Sequence, residues 1–235
     1  MRSVYTDGMI TTIFFDLDDT ILDFKACEKQ ALSKALDTFA FVYTDEDISD
    51  YSRINDMTWK KFERGEISRD RLKIERFEVF LSRFDKMVDA SLFADKYMEK
   101  LSETSAMIDG ARETLEILSE KYRLYAVTNG YERTQRGRIA ASGVGKYFRD
   151  VFISETVGVA KPKKEYFDYC ASHVPNFVLS ETVLVGDSPT SDIAGGRAYG
   201  LYTIRFNPFG LPSEEVEAHA DVSSLRELPT LLSRL

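Results

Sequence analysis

Acidic residues crowd one short stretch of the chain, Phe14, Phe15, Asp16, Leu17, Asp18, Asp19, Thr20, where an apolar run meets three carboxylates. The run reads as a buried strand, and along a strand Asp16 and Asp18 point to the same side. Carboxylates this close repel one another and are costly to desolvate without a cation. A second acidic group follows another apolar run, in Val183, Leu184, Val185, Gly186, Asp187, Ser188, Pro189, Thr190, Ser191, Asp192. In an open parallel sheet, ligands gather at the carboxyl ends of strands where the chain order reverses. If these two strands are neighbours there, Asp16, Asp18 and Asp187 converge on one hard, oxygen-liganded cation, for which Mg²⁺ is the natural candidate. Asp192 would then orient water or a cationic side chain.

A third apolar run ends in Val127, Thr128, Asn129, Gly130, offering a hydroxyl and an amide where the chain leaves the sheet. Donors of this kind suit a phosphate oxygen, although Thr-Asn-Gly is equally a good turn. Lys161 precedes Pro162, which blocks backward continuation of a helix and leaves Lys161 at a helix start. Ser188, beside Asp187, lacks a plausible His partner and reads as a loop hydroxyl.

The elements that must position these groups follow from periodicity. Buried strands are expected at Thr12–Leu17, Arg123–Thr128, Val151–Ser154, Thr182–Gly186 and Leu201–Phe206, alternating with helical patterns from Arg123 onward. A helix at Ala111–Glu120 precedes the second strand, and Ala220–Leu225 resembles a final short strand leading into a helix. That alternation implies an α/β fold, a Rossmann-like parallel sheet with helices on both faces. Phe24 to Glu103 instead carries only helical signals: helices fit Cys27–Phe39, Asp47–Phe62 and Leu92–Leu101, and Ile74, Phe77, Leu81 and Phe84 recur along one helix face. Gly65 marks a turn. The expected organisation is a catalytic core of residues 1–23 and 104–235 interrupted by an all-helical domain, residues 24–103.

With 235 residues, 43% of them hydrophobic, the chain has apolar matter for a full core. Its 31 Lys and Arg against 39 Asp and Glu leave a formal charge of −8, which repels polyanions and speaks against a nucleic acid polymer as partner. A small phosphorylated metabolite is not excluded, because a divalent cation reverses the field inside one cleft. Cys27 and Cys170, far apart, read as reduced packing residues, and neither they nor His173 and His219 have zinc-ligand spacing. The first residues lack the apolar run of a signal peptide, and no stretch of about 18 apolar residues occurs, so neither secretion nor membrane insertion is expected and the cytoplasm is the expected address.

Taken together, the four motifs resemble the haloacid dehalogenase superfamily. The family's Asp-Xaa-Asp-Xaa-Thr is matched by Asp16-Leu-Asp18-Asp-Thr20, its Thr by Thr128, its Lys by Lys161, and its Gly-Asp with a later Asp by Gly186, Asp187 and Asp192. An insertion just after the first motif is where this family places a helical cap. Phe14–Phe24, Val127–Gly130, Ile153–Pro162 and the residues Asn55, Trp59, Gly65, Ile67, Arg76 and Phe77 look like the bacterial branch of noncanonical pyrimidine 5′-nucleotidases.

The resemblance implies a Mg²⁺-dependent phosphate monoester hydrolase, with Asp16 as nucleophile forming an aspartyl phosphate and Asp18 as acid, then base. Asp16, Asp187 and the backbone of Asp18 would hold the metal, Asp192 would support it, and Thr128, Asn129 and Lys161 would grip the phosphate. An acid at Asp18 argues against a dehalogenase, which has no leaving oxygen to protonate. The implied substrate is a nucleoside monophosphate, with Trp59, Asn55, Arg53 and Arg76 as candidate specificity residues. Phosphatases of sugar phosphates or phosphoglycolate and phosphomutases share the same core, and a catalytically silent binding module is a remoter alternative.

Overall fold

In the computed structural model, which describes residues 9–212 and 216–235, the apolar run Thr12–Phe15 forms β1, every residue of it buried. A helical stretch follows, comprising α1 (Phe24–Thr38), α2 (Asp45–Glu63), α3 (Arg69–Leu81) and α4 (Ala90–Ser102). Strands and helices then alternate through α5 (Ala111–Ser119), β2 (Arg123–Thr128), α6 (Glu132–Ser142), β3 (Asp150–Ile153), α7 (Ser154–Val157), α8 (Lys164–His173), β4 (Thr182–Gly186), α9 (Ala194–Tyr199) and β5 (Tyr202–Phe206). The chain finishes with β6 (Ala220–Val222) and α10 (Leu228–Leu232). No described helix is long and apolar enough to cross a membrane.

Among the described residues the strands form one parallel sheet in the order β3-β2-β1-β4-β5-β6. The chain order reverses at β1, where Phe15 lies opposite Ala126 on one side and Val185 on the other. A central parallel strand is covered on both faces, which is why β1 reads as an unbroken apolar run. On one face Phe14 meets the ring edges of Tyr125 and Phe152, at centroid distances of 6.1 and 6.5 Å.

The α/β fold is the one expected, with strand ends shifted by one or two residues. The largest shift matters for chemistry: β1 stops at Phe15, because the Leu17 carbonyl accepts from the amides of Ile21 (2.9 Å) and Leu22 (2.7 Å) and so closes a turn. Asp16 still extends the strand by one ladder bond, whereas Asp18 is placed by the turn and not by the pleat of a strand.

By contact the chain divides into two compact units. One holds the sheet and takes in the described residues of Met1–Asp23, Met107–Glu132 and Ser142–Leu235; the other joins Phe24–Ala106 to Arg133–Ala141. The helical unit starts its helices with side-chain caps: Thr44 and Asp47 form a capping box at α2, and Ser68 and Asp89 cap α3 and α4. Gly65, at φ 74°, turns the chain after α2 in the left-handed region that favours glycine. Its core is aromatic, with Phe77 against Tyr51 (5.2 Å), Tyr97 (5.1 Å) and Phe93 (5.4 Å). The buried face of α3 is Leu72, Arg76, Phe77, Phe80 and Leu81, rotated from the expected stripe: Ile74 is half-buried and Phe84 lies past the helix end.

Most of α6, distant in sequence, belongs with this helical unit. Its Gly137 lies so near the end of α4 that a Cβ there would stand 2.6 Å from the Ser102 carbonyl oxygen. Backbone cannot retreat as a side chain can, so Gly137→Ala should cost about 1–3 kcal/mol of stability by overpacking, despite the better helix propensity of alanine. Urea denaturation midpoints read the change; an unaltered or raised midpoint would contradict this contact.

Candidate active site

The reversal of chain order at β1 brings the ends of β1, β2 and β4 to one edge of the sheet. Asp16 continues β1 by one residue, its amide donating to the Val185 carbonyl at 2.9 Å. Two residues later Asp18 is half-buried in the turn, and Asp19 takes a left-handed conformation, φ 55°. Thr20 is buried and its hydroxyl donates to Asp187 Oδ1 at 3.3 Å, tying the first motif to the end of β4.

After β4 the chain makes a wide helical turn, Pro189–Ile193, in which the amides of Asp192 and Ile193 both donate to the Ser188 carbonyl at 3.1 Å. The turn folds Asp192 back so that its Oδ2 accepts from the Ser188 amide at 3.1 Å. Only glycine permits this at position 186, where a Cβ would lie 2.4 Å from Asp192 Cγ.

Lys161 is the centre of the arrangement. Its backbone is clamped by Asn129, whose Oδ1 accepts from the Lys161 amide and whose Nδ2 donates to the Lys161 carbonyl, both at 2.9 Å. The buried ammonium donates to Asp16 Oδ1 (2.6 Å), Asp192 Oδ1 (2.6 Å) and the Val127 carbonyl (2.9 Å). Lys161 precedes α8 by a short turn and does not itself start the helix. Thr128 closes β2, buried, and its hydroxyl oxygen accepts from the Gly130 amide at 3.1 Å.

The electrostatics follow from burial. Burial works against the Lys161 ammonium, but Asp16 and Asp192 outweigh it and hold its pKa above that of an ordinary lysine. Burial also pushes Asp16 up to about 8, against the pull of Lys161 and with the repulsion of Asp192 and Asp18. Asp187 is raised well above the carboxylate range, by burial first and by Asp16 and Asp192 next. One cation among these acids is too few.

Ligand oxygens of Asp16, Asp187 and Asp192 lie within 4.8 Å of one another. Both Asp192 oxygens are engaged, with Lys161 and the Ser188 amide, whereas Asp16 and Asp187 each keep one oxygen outside the bonds described. Hard oxygen donors, mutual repulsion and the absence of sulfur or imidazole fit a Mg²⁺-type cation.

The candidate specificity residues do not form one cluster. Asn55 is enclosed in the helical unit, its Nδ2 donating to Glu28 Oε1 at 2.7 Å and its Oδ1 accepting from Arg76 Nη1 at 2.6 Å. Arg76 is equally buried, its guanidinium 5.0 Å from the centroid of the Phe77 ring. Arg53 is exposed and pairs with Asp50. Trp59 is half-buried on α2, edge-on to Phe62 at 5.8 Å. Two contributions had no role assigned from sequence: the Thr20 hydroxyl, although its motif was recognised, and the Val127 carbonyl, which no residue type reveals.

Raised carboxyl pKa values have a measurable sign. The folded, metal-free protein binds protons at Asp16 and Asp187 more tightly than the unfolded chain, whose aspartates titrate near 3.9. The stability contributed by Asp16 is complete below that value and is lost as pH rises through about 8, and Asp187 acts in the same direction. Mg²⁺ competes with those protons, so the rise in Tm on adding Mg²⁺ should be larger at pH 8.5 than at pH 5.5. Calorimetry at both pH values checks it; a shift independent of pH would contradict the assignment.

Residues 10–200 match the family model described as haloacid dehalogenase-like hydrolase. The crystal structure of the HAD-hydrolase YfnB from Bacillus subtilis bound to magnesium superposes with a TM-score of 0.92 at 37% identity, covering 96% of this chain and 99% of that one. The pyrimidine 5′-nucleotidase PynA of Streptococcus pneumoniae is 36% identical over 89% of this chain and 92% of that protein. The pyrimidine 5′-nucleotidase YjjG of Escherichia coli is 32% identical, over 94% and 97% respectively.

Proposed function

The chain belongs to the haloacid dehalogenase-like hydrolases and is a phosphatase among them, and on that premise we propose that it is a Mg²⁺-dependent phosphatase of nucleoside 5′-monophosphates, pyrimidine ones foremost. The observation that carries the chemistry is the Lys161 ammonium, 2.6 Å from both Asp16 and Asp192. It holds Asp16 by one oxygen and so orients the carboxylate.

In this reading one Asp16 oxygen bonds to phosphorus as the bond from phosphorus to the ester oxygen breaks, and Asp18 gives its proton to the departing alcohol. Asp18 then takes a proton from water, whose oxygen attacks phosphorus and releases inorganic phosphate, restoring Asp16. Asp16, Asp187 and the main-chain carbonyl of Asp18 would hold Mg²⁺, which would supply positive charge against the carboxylate and phosphate oxygens. Asp192 keeps Lys161 in place. Thr128 and Asn129 face the phosphate oxygens, and Lys161, its protons engaged, acts on them through its field.

The nucleotide preference is supported by PynA and YjjG, whose names state that activity. Of the four specificity candidates Trp59 is the one with an aromatic ring, half-buried on α2, and base stacking is assigned to it on that ground.

Phosphate release across nucleoside monophosphates, sugar phosphates and phosphoglycolate, with Mg²⁺ and with EDTA, tests the proposal. Turnover should require Mg²⁺ and favour pyrimidine nucleotides; a preference for sugar phosphates or phosphoglycolate keeps the core chemistry and removes the nucleotide assignment. Asp16→Asn should fold and lose about 10³-fold or more of kcat on every substrate, whereas appreciable residual turnover means another nucleophile. Trp59→Ala should raise KM about tenfold for nucleoside monophosphates and leave p-nitrophenyl phosphate little changed. Equal effects on both would remove base stacking.

A further inference from the structure

Arg205 is the one charged residue of β5, and it is nearly enclosed, 6% exposed. In the β4–β5 register it lies opposite Gly186, one residue before Asp187. Its guanidinium joins two segments: Nε donates to the Asp187 carbonyl at 3.4 Å and Nη1 to the Leu211 carbonyl at 2.9 Å. Leu211 is itself fixed. Asn207 Nδ2 donates to the same carbonyl at 2.9 Å and to Asp221 Oδ2 at 3.0 Å, and Asn207 Oδ1 accepts from the Leu211 amide at 2.9 Å. The loop after β5 is thereby anchored to β6 and provides a firm base for the arginine.

The consequence lies in a single peptide group. The carbonyl of the Asp187–Ser188 peptide is held by Arg205, and its N–H is held by Asp192 Oδ2 at 3.1 Å. A peptide is planar, so bonds at both ends fix its orientation and with it the Cα from which the Asp187 side chain departs, while the Thr20 hydroxyl holds Oδ1 of that side chain at 3.3 Å. We propose that Arg205 is a positioning residue for the cation site, aiming the Asp187 carboxylate at Mg²⁺ through the carbonyl it holds. The planar fork suits this because it holds its N–H donors in a fixed relation to one another, which a lysine ammonium on its flexible stem does not. The inference rests on the Mg²⁺ reading above.

Titration calorimetry of Mg²⁺ into the wild type, Arg205→Lys and Arg205→Gln decides it. Arg205→Lys keeps the charge and loses the fork, so it separates aiming from electrostatics. The expected result is a Mg²⁺ Kd about tenfold weaker in both variants, with circular dichroism unchanged and phosphate release at limiting Mg²⁺ recovering as Mg²⁺ is raised. A merely structural arginine would lower Tm in EDTA and leave Kd alone. A Kd in Arg205→Lys within about twofold of wild type overturns the proposal, as does failure of both variants to fold. Wild type that binds no Mg²⁺ overturns the metal reading and this inference together. Wild type that binds Mg²⁺ but hydrolyses no ester overturns only the proposed function, and the Kd comparison still decides the role of Arg205.

Discussion

A single buried ammonium organises the catalytic unit. Lys161 donates to Asp16, Asp192 and the Val127 carbonyl, and so joins the ends of β1 and β2 to the turn after β4. A charge placed in that interior is costly unless it is paired and its hydrogen bonds are complete, and here both conditions hold. Removal of either acid would leave the other partner to bear the cost, so the three residues act as one group. The Asn129 clamp serves the same end by fixing the Lys161 backbone on both sides.

The remaining acids then follow from electrostatics. Lys161 offsets one carboxylate, while Asp16, Asp18, Asp187 and Asp192 stand around it, and burial with mutual repulsion raises Asp16 and Asp187. Such a site holds protons or a divalent cation, and a cation there would keep the carboxylates in the ionised form. Gly186 has its place in this logic, since a side chain there would push Asp192 off the lysine.

The parallel sheet and the polar groups at its C-terminal edge were legible because apolar runs and acidic motifs are local signals. Asp16, Thr128, Lys161, Asp187 and Asp192 end on one edge as the motif order implied. What escaped was set by tertiary contact. The turn after Phe15 owes its shape to amides converging on the Leu17 carbonyl. The attachment of Arg133–Ala141 to the helical unit depends on the close approach of Gly137 to Ser102, which a glycine in a helical pattern does not announce. Arg205 did carry a signal, the one charge in its strand, but its partners are backbone carbonyls and leave no trace in residue types.

The helical unit is where likeness between sequences and substrate recognition part company. Asn55 and Arg76 match the nucleotidase-like pattern, yet they join Glu28 in a buried polar chain that links α1, α2 and α3. Burial raises the Glu28 carboxyl, so each member depends on its neighbours for hydrogen bonds that water cannot supply. A chain of this kind restricts how the helices pack, because any shift in register leaves a buried polar atom unpaired. Residues alike for that reason report a common packing solution. Trp59, one turn after Asn55 on α2, stands differently, half-buried and edge-on to Phe62.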